Sequence, residues 1–260
     1  MRFLNSLIIL VLTACASAPL TGRNQLKLVP ESQLISSATA EYSNVLKKTK
    51  ISTNTQQTAM VKRVGERIKN AVEGYLKSQG QSELVKDYHW EFNLLAEPTV
   101  NAWAMPGGKV AFYEGIMKIC EDETGVAVVM GHEVAHAIAG HGNERVSHGL
   151  IQQGIVLGAG ALTQKESERV RQMVQMGAIG FTTVAGILPY SRLHESEADE
   201  MGLIFMAMAG YDPREAPRFW ERMSAQGKSK VPQLLSTHPS DTTRIRKLRA
   251  QIPRAMKYLP

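Results

Sequence analysis

The stretch Val126-Ala-Val-Val-Met-Gly-His-Glu-Val-Ala-His-Ala-Ile138 is apolar at most positions but carries two histidines and a glutamate. His132 and His136 are four residues apart, so on a helix their side chains leave one face about one turn apart. Two imidazoles at this spacing can reach one ion at the ~2.0–2.1 Å of zinc–nitrogen bonds. Glu133 then points beside the ion, where it can accept a proton from water. Two unrelated histidines are the alternative, but burying these groups without partners costs several kcal/mol. The stretch therefore predicts a helical zinc site.

Two histidines leave this site short of a ligand, because a catalytic zinc usually takes three protein ligands and one water. Candidates for the third ligand lie downstream in Ser191-Arg-Leu-His-Glu-Ser-Glu-Ala-Asp199. The residue types alone leave Glu195, Glu197 and His194 open. Glu197 is two residues beyond Glu195 and so faces away from it on a helix, which favours a solvated or structural role for Glu197.

Gly131-His-Glu-Val-Ala-His136, followed by Glu195-Ser-Glu-Ala-Asp199, resembles the HtpX-like and CAAX prenyl endopeptidase family of gluzincins. The resemblance implies that Glu195 is the third ligand of one zinc ion per chain. It also implies that Asp199, one helical turn later, hydrogen-bonds a ligand histidine and fixes its tautomer. The expected fold is α+β and mainly α, a single gluzincin-type metallopeptidase domain with a small β-sheet beside the active-site helix.

Asn101-Ala-Trp-Ala-Met-Pro-Gly-Gly108 is similar to the strand-edge segment of the same family, with Trp103 in place of the usual Phe. An exposed strand edge can pair its backbone with an extended peptide, whatever the peptide's sequence. Asn101, Ala102 and Trp103 are therefore the expected substrate-binding residues. The Pro-Gly-Gly sequence predicts a turn after them.

Thr237-His-Pro-Ser-Asp-Thr-Thr-Arg-Ile245 resembles a further family run near the end of the chain. The resemblance leaves two active roles open for His238: it stabilises the oxyanion, or it occupies the open position of zinc. A histidine at a helix entry without any role is the third alternative. Arg244 is expected to pair with a carboxylate near the site.

The N-terminus has the pattern of a secretory signal, with Met1-Arg2 before an apolar stretch over residues 3–12. Leu12-Thr-Ala-Cys15 resembles a bacterial lipobox, which implies cleavage before Cys15 and lipidation of its thiol. Ala16 at the next position favours the outer membrane by the same resemblance. A plain signal peptide with an accidental cysteine is the alternative. Thr21-Gly-Arg-Asn-Gln-Leu26 looks like the segment that follows the anchor in periplasmic relatives.

These patterns divide the chain into a signal peptide (1–14), a lipidated Cys15 with its tether (15–30) and a metallopeptidase domain (31–260). Apolar residues at helical spacing predict helices over residues 30–50 and 54–79, and again after Asp122, where Gly142-Asn143 can end the helix. Alternation predicts strands over 89–95 and 109–113. Further helices are predicted over 146–162, 170–188, 189–209, and after 212 and 238, none with the uninterrupted apolar length of a membrane span.

The composition fits a globular domain, with 43% hydrophobic and 21% charged residues. The net charge of +6, from 30 Lys and Arg against 24 Asp and Glu, is spread thinly, which argues against nucleic-acid binding. Cys120, the second of two cysteines, is expected to be a buried small hydrophobe. The remaining histidines, His89, His141 and His148, are assigned to surface or supporting roles.

The function expected from these features is a zinc-dependent endopeptidase of the bacterial envelope, acting on unfolded or misassembled proteins from a lipid anchor in the periplasm. A chaperone-like envelope protein with a latent zinc site is one alternative. A zinc hydrolase acting on a cell-wall amide is another, although the segment 101–105 suits an extended peptide better than a glycan.

Overall fold

The computed structural model describes residues 15–164, 168–169, 172, 174, 176, 188–226, 232–238 and 242–260. The predicted signal peptide and almost all of the helix predicted over residues 170–188 lie outside these ranges. Ser240 and Asp241, which can cap the helix predicted after residue 238, also lie outside them. Of Cys15 only the backbone is described.

The described part of the chain forms five short strands and nine α-helices. The strands are β1 (Cys15–Ser17), β2 (Asn24–Leu26), β3 (Glu91–Leu95), β4 (Ala102–Met105) and β5 (Lys109–Tyr113). The helices are α1 (Glu31–Lys48), α2 (Thr55–Ser78), α3 (Glu114–Cys120), α4 (Glu123–Ala139), α5 (His141–Leu162), α6 (Leu188–Met208), α7 (Glu215–Gln226), α8 (Gln233–Thr237) and α9 (Thr242–Ala255). This mainly helical α+β architecture with small sheets confirms the predicted fold class.

The three-stranded sheet has the order β3-β5-β4, with β3 parallel and β4 antiparallel to β5. Among the described residues β4 pairs only with β5, so β4 is an edge strand, and it packs beside α4. The turn into β5 uses Gly107 and Gly108 at φ +82° and +80°, a left-handed conformation that favours glycine. This is the Pro-Gly-Gly turn that the sequence predicts.

The core lies between α2, α4, α6 and the sheet. On α2 the helical period places five fully buried side chains on one face, namely Val61, Val64, Ile68, Val72 and Leu76. The helix predicted over residues 54–79 rests on the apolar series Met60, Val64, Ile68, Val72 and Leu76, and all of these are buried except Met60, which is only partly buried. Cys120 is buried in the same core, as expected, and burial raises the pKa of its thiol.

Helix α4, which carries the two histidines, has well-defined ends. Asp122 caps its start by accepting hydrogen bonds from the backbone N–H groups of Thr124 and Gly125. Gly140 ends it in the left-handed conformation, at φ 71°. The predicted end at Gly142-Asn143 is therefore wrong: α4 stops at Ala139, and a separate helix, α5, begins at His141.

Residues 15–26, here called the N-terminal hairpin, form the antiparallel pair β1–β2 against the rest of the fold. The chain that follows is tied to α5, because the Leu28 N–H donates to Ser147 Oγ at 2.8 Å and Asn143 Nδ2 donates to the Val29 carbonyl at 2.8 Å. The expected polar tether over residues 15–30 is thus a packed segment in the structure. The difference from the expected tether arises because α5 has buried polar side chains, Asn143 and Ser147, that bind this segment.

Beyond its first two turns, α5 exposes apolar side chains such as Leu150, Ile155 and Leu157. Even so, none of the helices that the structure describes combines the length and hydropathy that crossing a bilayer requires.

Two glycines bring α4 and α6 into backbone contact. A Cβ added at Gly202 of α6 would lie 2.9 Å from the backbone N of His132, and one added at Gly131 of α4 would lie 2.7 Å from the Gly202 carbonyl oxygen. Both distances involve backbone atoms, which cannot rotate away. The close packing of the two helices therefore requires glycine at both positions.

We expect Gly202→Ala to lower the free energy of unfolding by about 1–3 kcal/mol, the usual cost of overpacking a core. The matched control is Gly154→Ala on α5, where an added Cβ meets no atom within 4 Å. Alanine there should raise stability by about 0.5–1 kcal/mol, because glycine is the poorer helix former. Urea unfolding followed by circular dichroism measures both variants, and equal effects would contradict the proposed close packing.

Candidate metal centre

Four side chains converge where α4 meets α6 and the segment after α8. They are His132, His136, Glu195 and His238, and their candidate ligand atoms all lie within 4.8 Å of one another. His132 and His136 project from one face of α4, as their spacing predicts, and Glu195 faces them from α6. All of them are buried except Glu195, which is partly buried.

The distances between these atoms fit a single ion. His132 Nε2 lies 3.1 Å from His136 Nε2 and 3.4 Å from Glu195 Oε2. His136 Nε2 lies 3.3 Å from Glu195 Oε1. Four ligands in a tetrahedron, each ~2.0–2.1 Å from a zinc ion, are about 3.3 Å apart. Two imidazoles and a carboxylate are also the donor set that zinc takes in hydrolytic sites, so the residues present fit zinc.

His238 supplies the fourth donor atom of the group. Its Nδ1 lies 3.2 Å from His132 Nε2 and 2.9 Å from both carboxylate oxygens of Glu195. The residue directly follows α8, whose backbone is fixed to the chain before β4 because the Leu234 N–H donates to the Val100 carbonyl at 3.1 Å. His238 therefore belongs to the group of four donors, and the helix before it is bonded to the chain that enters the edge strand β4.

Glu133 lies beside this group on the next position of α4. Its side chain is almost fully buried, and its Oε1 accepts no hydrogen bond from the described part of the chain. His238 Nε2 lies 3.5 Å from the same oxygen. A buried carboxylate oxygen without a partner is rare in folded proteins. Its position next to the four donor atoms leaves it available to a water or a substrate.

Asp199 and Arg244 support His132 on the side of its ring that faces away from the other donors. His132 Nδ1 lies 3.0 Å from Asp199 Oδ1, the contact that the family resemblance implies. Arg244 donates to both oxygens of Asp199, at 2.8 and 2.7 Å, and its guanidinium stacks over the ring of Trp220 at 3.5 Å. With its Nδ1–H donated to a fixed carboxylate, His132 presents a lone pair at Nε2 to the centre.

Burial and charge compete at each group of the centre. Burial acts to raise the pKa of Glu195, but hydrogen bonds from His132, His136 and His238 lower it well below its ordinary value. Burial also acts to raise the pKa of Asp199, but the charge of Arg244 and the contacts with His132 together lower it. Burial acts to lower the pKa of both histidines. It prevails at His136, whereas at His132 hydrogen bonds to Asp199 and Glu195 raise the pKa to about 9, so a zinc ion that binds Nε2 must displace a proton there. The carboxylates therefore keep their negative charge, as metal ligands require.

The two rival ligands lie away from the centre. Glu197 is buried and pairs with Arg23 and His141, so a solvated role is wrong and a structural one fits. His194 Nε2 lies 2.8 Å from Glu144 Oε2. Neither side chain belongs to the group of four donors among the described residues.

His141 lies closer to the centre than a continuous helix would allow. Its Nδ1 is 2.8 Å from His136 Nδ1, and its side chain is fully buried. A continuous helix would point it about 140° away from the face of His136, but the break at Gly140 redirects the chain. The sequence signal that could have found this contact is the glycine between the two histidines.

The predicted substrate-binding residues lie on and beside β4. Ala102 is buried in the main core, while the indole of Trp103 packs against Tyr42 and lies 3.4 Å from the Tyr113 hydroxyl. Asn101 is also buried, and its carbonyl accepts a hydrogen bond from the Tyr113 N–H. These side chains are engaged within the fold, so β4 can offer a substrate its backbone edge rather than a side-chain pocket.

Comparison with known proteins gives one family. The model of the family described as "Peptidase family M48" matches residues 57–252. This range includes all four donors of the metal centre, and it leaves out the N-terminal hairpin.

Individual relatives extend the comparison. The chain is 38% identical to the mitochondrial metalloendopeptidase OMA1 of Schizosaccharomyces pombe over 173 residues, which are 66% of this chain and 49% of that protein. It is 29% identical to the human mitochondrial metalloendopeptidase OMA1 over 92% of this chain and 46% of that one. A putative beta-barrel assembly-enhancing protease of Vibrio cholerae is 30% identical over 65% of this chain and 35% of its own length. The chain thus spans about half the length of the OMA1 relatives.

We expect His136→Ala to lose stoichiometric zinc, because the variant removes one of the three proposed ligands. His89→Ala is the matched control, since His89 is exposed and is not one of the four donors. Zinc content after gel filtration, measured by plasma mass spectrometry, should be one ion per chain in the control and well below that in His136→Ala. Full occupancy in His136→Ala would contradict the ligand assignment.

Proposed function

This chain belongs to peptidase family M48, and from that premise we propose that it is a zinc-dependent endopeptidase. The observation that carries the proposal is that a buried carboxylate oxygen, that of Glu133, lies beside the four-donor group and accepts no hydrogen bond from a described residue. A purely structural zinc site is closed by its ligands and has no use for such a carboxylate.

In peptide hydrolysis the zinc ion and the residues of the chain would have different roles. His132, His136 and Glu195 would hold a zinc ion, which would supply a Lewis acid to polarise the scissile carbonyl and to lower the pKa of a water molecule. Glu133 accepts the proton of the attacking water at its carboxylate and then delivers it to the leaving amine. Asp199 keeps His132 oriented while the charges around it change.

His238 would take the fourth position around a zinc ion held by the other three donors. Its Nδ1 lies in the four-donor group, so its ring would have to move aside before a substrate reached the centre. Of the roles predicted for His238, this favours occupation of the open position of zinc. The segment that carries it is fixed by one backbone bond, from Leu234 to Val100, to the chain that enters β4. A peptide that binds along β4 would therefore meet the segment that must move.

The substrate that the site suits is an extended polypeptide. Among the described residues the outer edge of β4 pairs with no strand, and β4 lies beside α4, so a peptide added to the sheet would run past the metal centre. Recognition through backbone hydrogen bonds accepts many sequences but requires an unfolded segment. We therefore keep unfolded or misassembled envelope proteins as the proposed substrates, supported by the bacterial relatives named as beta-barrel assembly-enhancing proteases.

The proposed location is the bacterial periplasm, with a lipid on Cys15 in the outer membrane. Because the N-terminal hairpin packs on the domain, a lipid there would hold the domain close to the bilayer surface. The relatives named as mitochondrial endopeptidases show that the same peptidase domain also serves in a different compartment. Labelling with a radioactive fatty acid, compared between the native chain and Cys15→Ser, tests the anchor.

We expect Glu133→Gln to keep one zinc ion per chain and to lower the rate of casein cleavage by about 10²–10⁴-fold, the usual contribution of a general base. The amide keeps the shape of the side chain and cannot take a proton. Glu66→Gln, an exposed position on α2, is the control and should cleave at the native rate. Cleavage by zinc-loaded Glu133→Gln at the native rate would exclude this role.

We expect His238→Ala to retain zinc and to cleave casein faster than the native chain, because removal of the ring opens the fourth position. A slower variant would instead favour the oxyanion role. The same assay separates the rival functions, since a chaperone-like protein would show no chelator-sensitive turnover in either form. A hydrolase of cell-wall amides would act on purified peptidoglycan and leave casein intact.

A further inference from the structure

A buried chain of polar groups leads from the second histidine of the metal centre to the N-terminal hairpin. His136 Nδ1, on the side away from the centre, lies 2.8 Å from His141 Nδ1. His141 Nε2 lies 3.0 Å from Glu197 Oε2 on α6. His141 and Glu197 are both buried, so water does not compete for these contacts.

The far end of this chain is anchored by the hairpin. Arg23 Nε donates to Glu197 Oε2 at 2.7 Å, and the Thr21 hydroxyl donates to the other oxygen of Glu197. The remaining nitrogens of Arg23 donate to both oxygens of Glu144 on α5, at 2.9 and 2.7 Å. One arginine thus binds a carboxylate on each of two helices, and it holds Glu197 with its charge and its direction defined.

These contacts determine where the protons on the two imidazoles lie. An ionised Glu197 can only accept, so His141 donates its Nε2–H and is left with a lone pair at Nδ1. That lone pair can be satisfied only if His136 donates its own Nδ1–H. His136 then has its lone pair at Nε2, the atom that faces the metal centre. The tautomer of His136 is therefore determined by Arg23, which acts through Glu197 and His141.

We propose that the N-terminal hairpin completes the metal centre, and that Arg23, Glu197 and His141 are positioning residues which hold His136 in its metal-binding tautomer. The proposal rests on the proposed function only in taking His136 as a zinc ligand. It adds Arg23, which lies outside the matched residues 57–252, to the residues that the site needs.

The arrangement mirrors the support of the other histidine. His132 is oriented by Asp199 and Arg244, so each ligand histidine depends on a carboxylate that an arginine holds. The two sets of supporting contacts differ in length. Asp199 contacts His132 directly, whereas Glu197 acts on His136 through His141. They also differ in origin, because Arg244 belongs to α9 and Arg23 to the opposite end of the chain.

The test compares two variants of the full chain at one position, Glu197→Met and Glu197→Gln. Oε2 of Glu197 accepts from both His141 Nε2 and Arg23 Nε, while the other oxygen accepts from the Thr21 hydroxyl. In Glu197→Gln the amide oxygen can take the place of Oε2 and accept both bonds, with its NH₂ toward the Thr21 hydroxyl, so the direction of the donors is kept. Methionine has a similar length and offers His141 only a weak acceptor, so the tautomers of His141 and His136 are no longer fixed. We expect zinc affinity, measured by competition with a chromogenic chelator, to fall about 10–100-fold in Glu197→Met and to stay near the native value in Glu197→Gln.

Equal losses in the two variants, or native affinity in Glu197→Met, would overturn the proposal. If Glu197→Met does not fold, histidine-selective ¹⁵N NMR of the zinc-loaded native chain decides. We expect His141 to carry its proton on Nε2 and His136 on Nδ1, and a proton on His141 Nδ1 would refute the relay. A native chain that binds zinc tightly but cleaves nothing would refute the proposed peptidase and leave this inference standing.

Discussion

Gly131 and Gly202 let the backbones of α4 and α6 touch, and the metal centre depends on that contact. His132 follows Gly131 directly, and Glu195 lies about two turns before Gly202 on the facing helix. If a side chain at either glycine pushed the helices apart, Glu195 would leave the distance at which it shares an ion with the histidines. Ligand distances tolerate a change of only a few tenths of an ångström. The absence of a Cβ at Gly131 and at Gly202 therefore decides whether the site can bind zinc.

The same contact buries several charged groups, and the fold has to satisfy each of them. It does so with two arginines that enter from opposite ends of the chain, Arg244 on α9 and Arg23 on the N-terminal hairpin. Each holds a carboxylate that orients one ligand histidine. Segments near both ends of the described chain therefore support the centre, and the N-terminal hairpin contributes one of the two arginines.

Much of the fold was predictable because its signals are local. The apolar period of α2, the Asp122 cap of α4 and the glycine turn before β5 depend on residues near one another in the chain. The prediction failed where one residue redirects the backbone. Gly140 in the left-handed conformation ends α4 early and turns His141 toward His136, so the angle expected for a continuous helix did not apply.

The sequence by itself determined the chemistry of the centre: the spacing of His132 and His136 on a helix, and the family motif that points to Glu195. Such spacing is a property of helical geometry and needs no tertiary contact. Only the tertiary structure decided which distant groups complete the site. That His238 lies among the ligands, and that Arg23 reaches His136 through two other side chains, depends on how remote segments pack. Packing joins residues more than a hundred positions apart, and no local pattern records it.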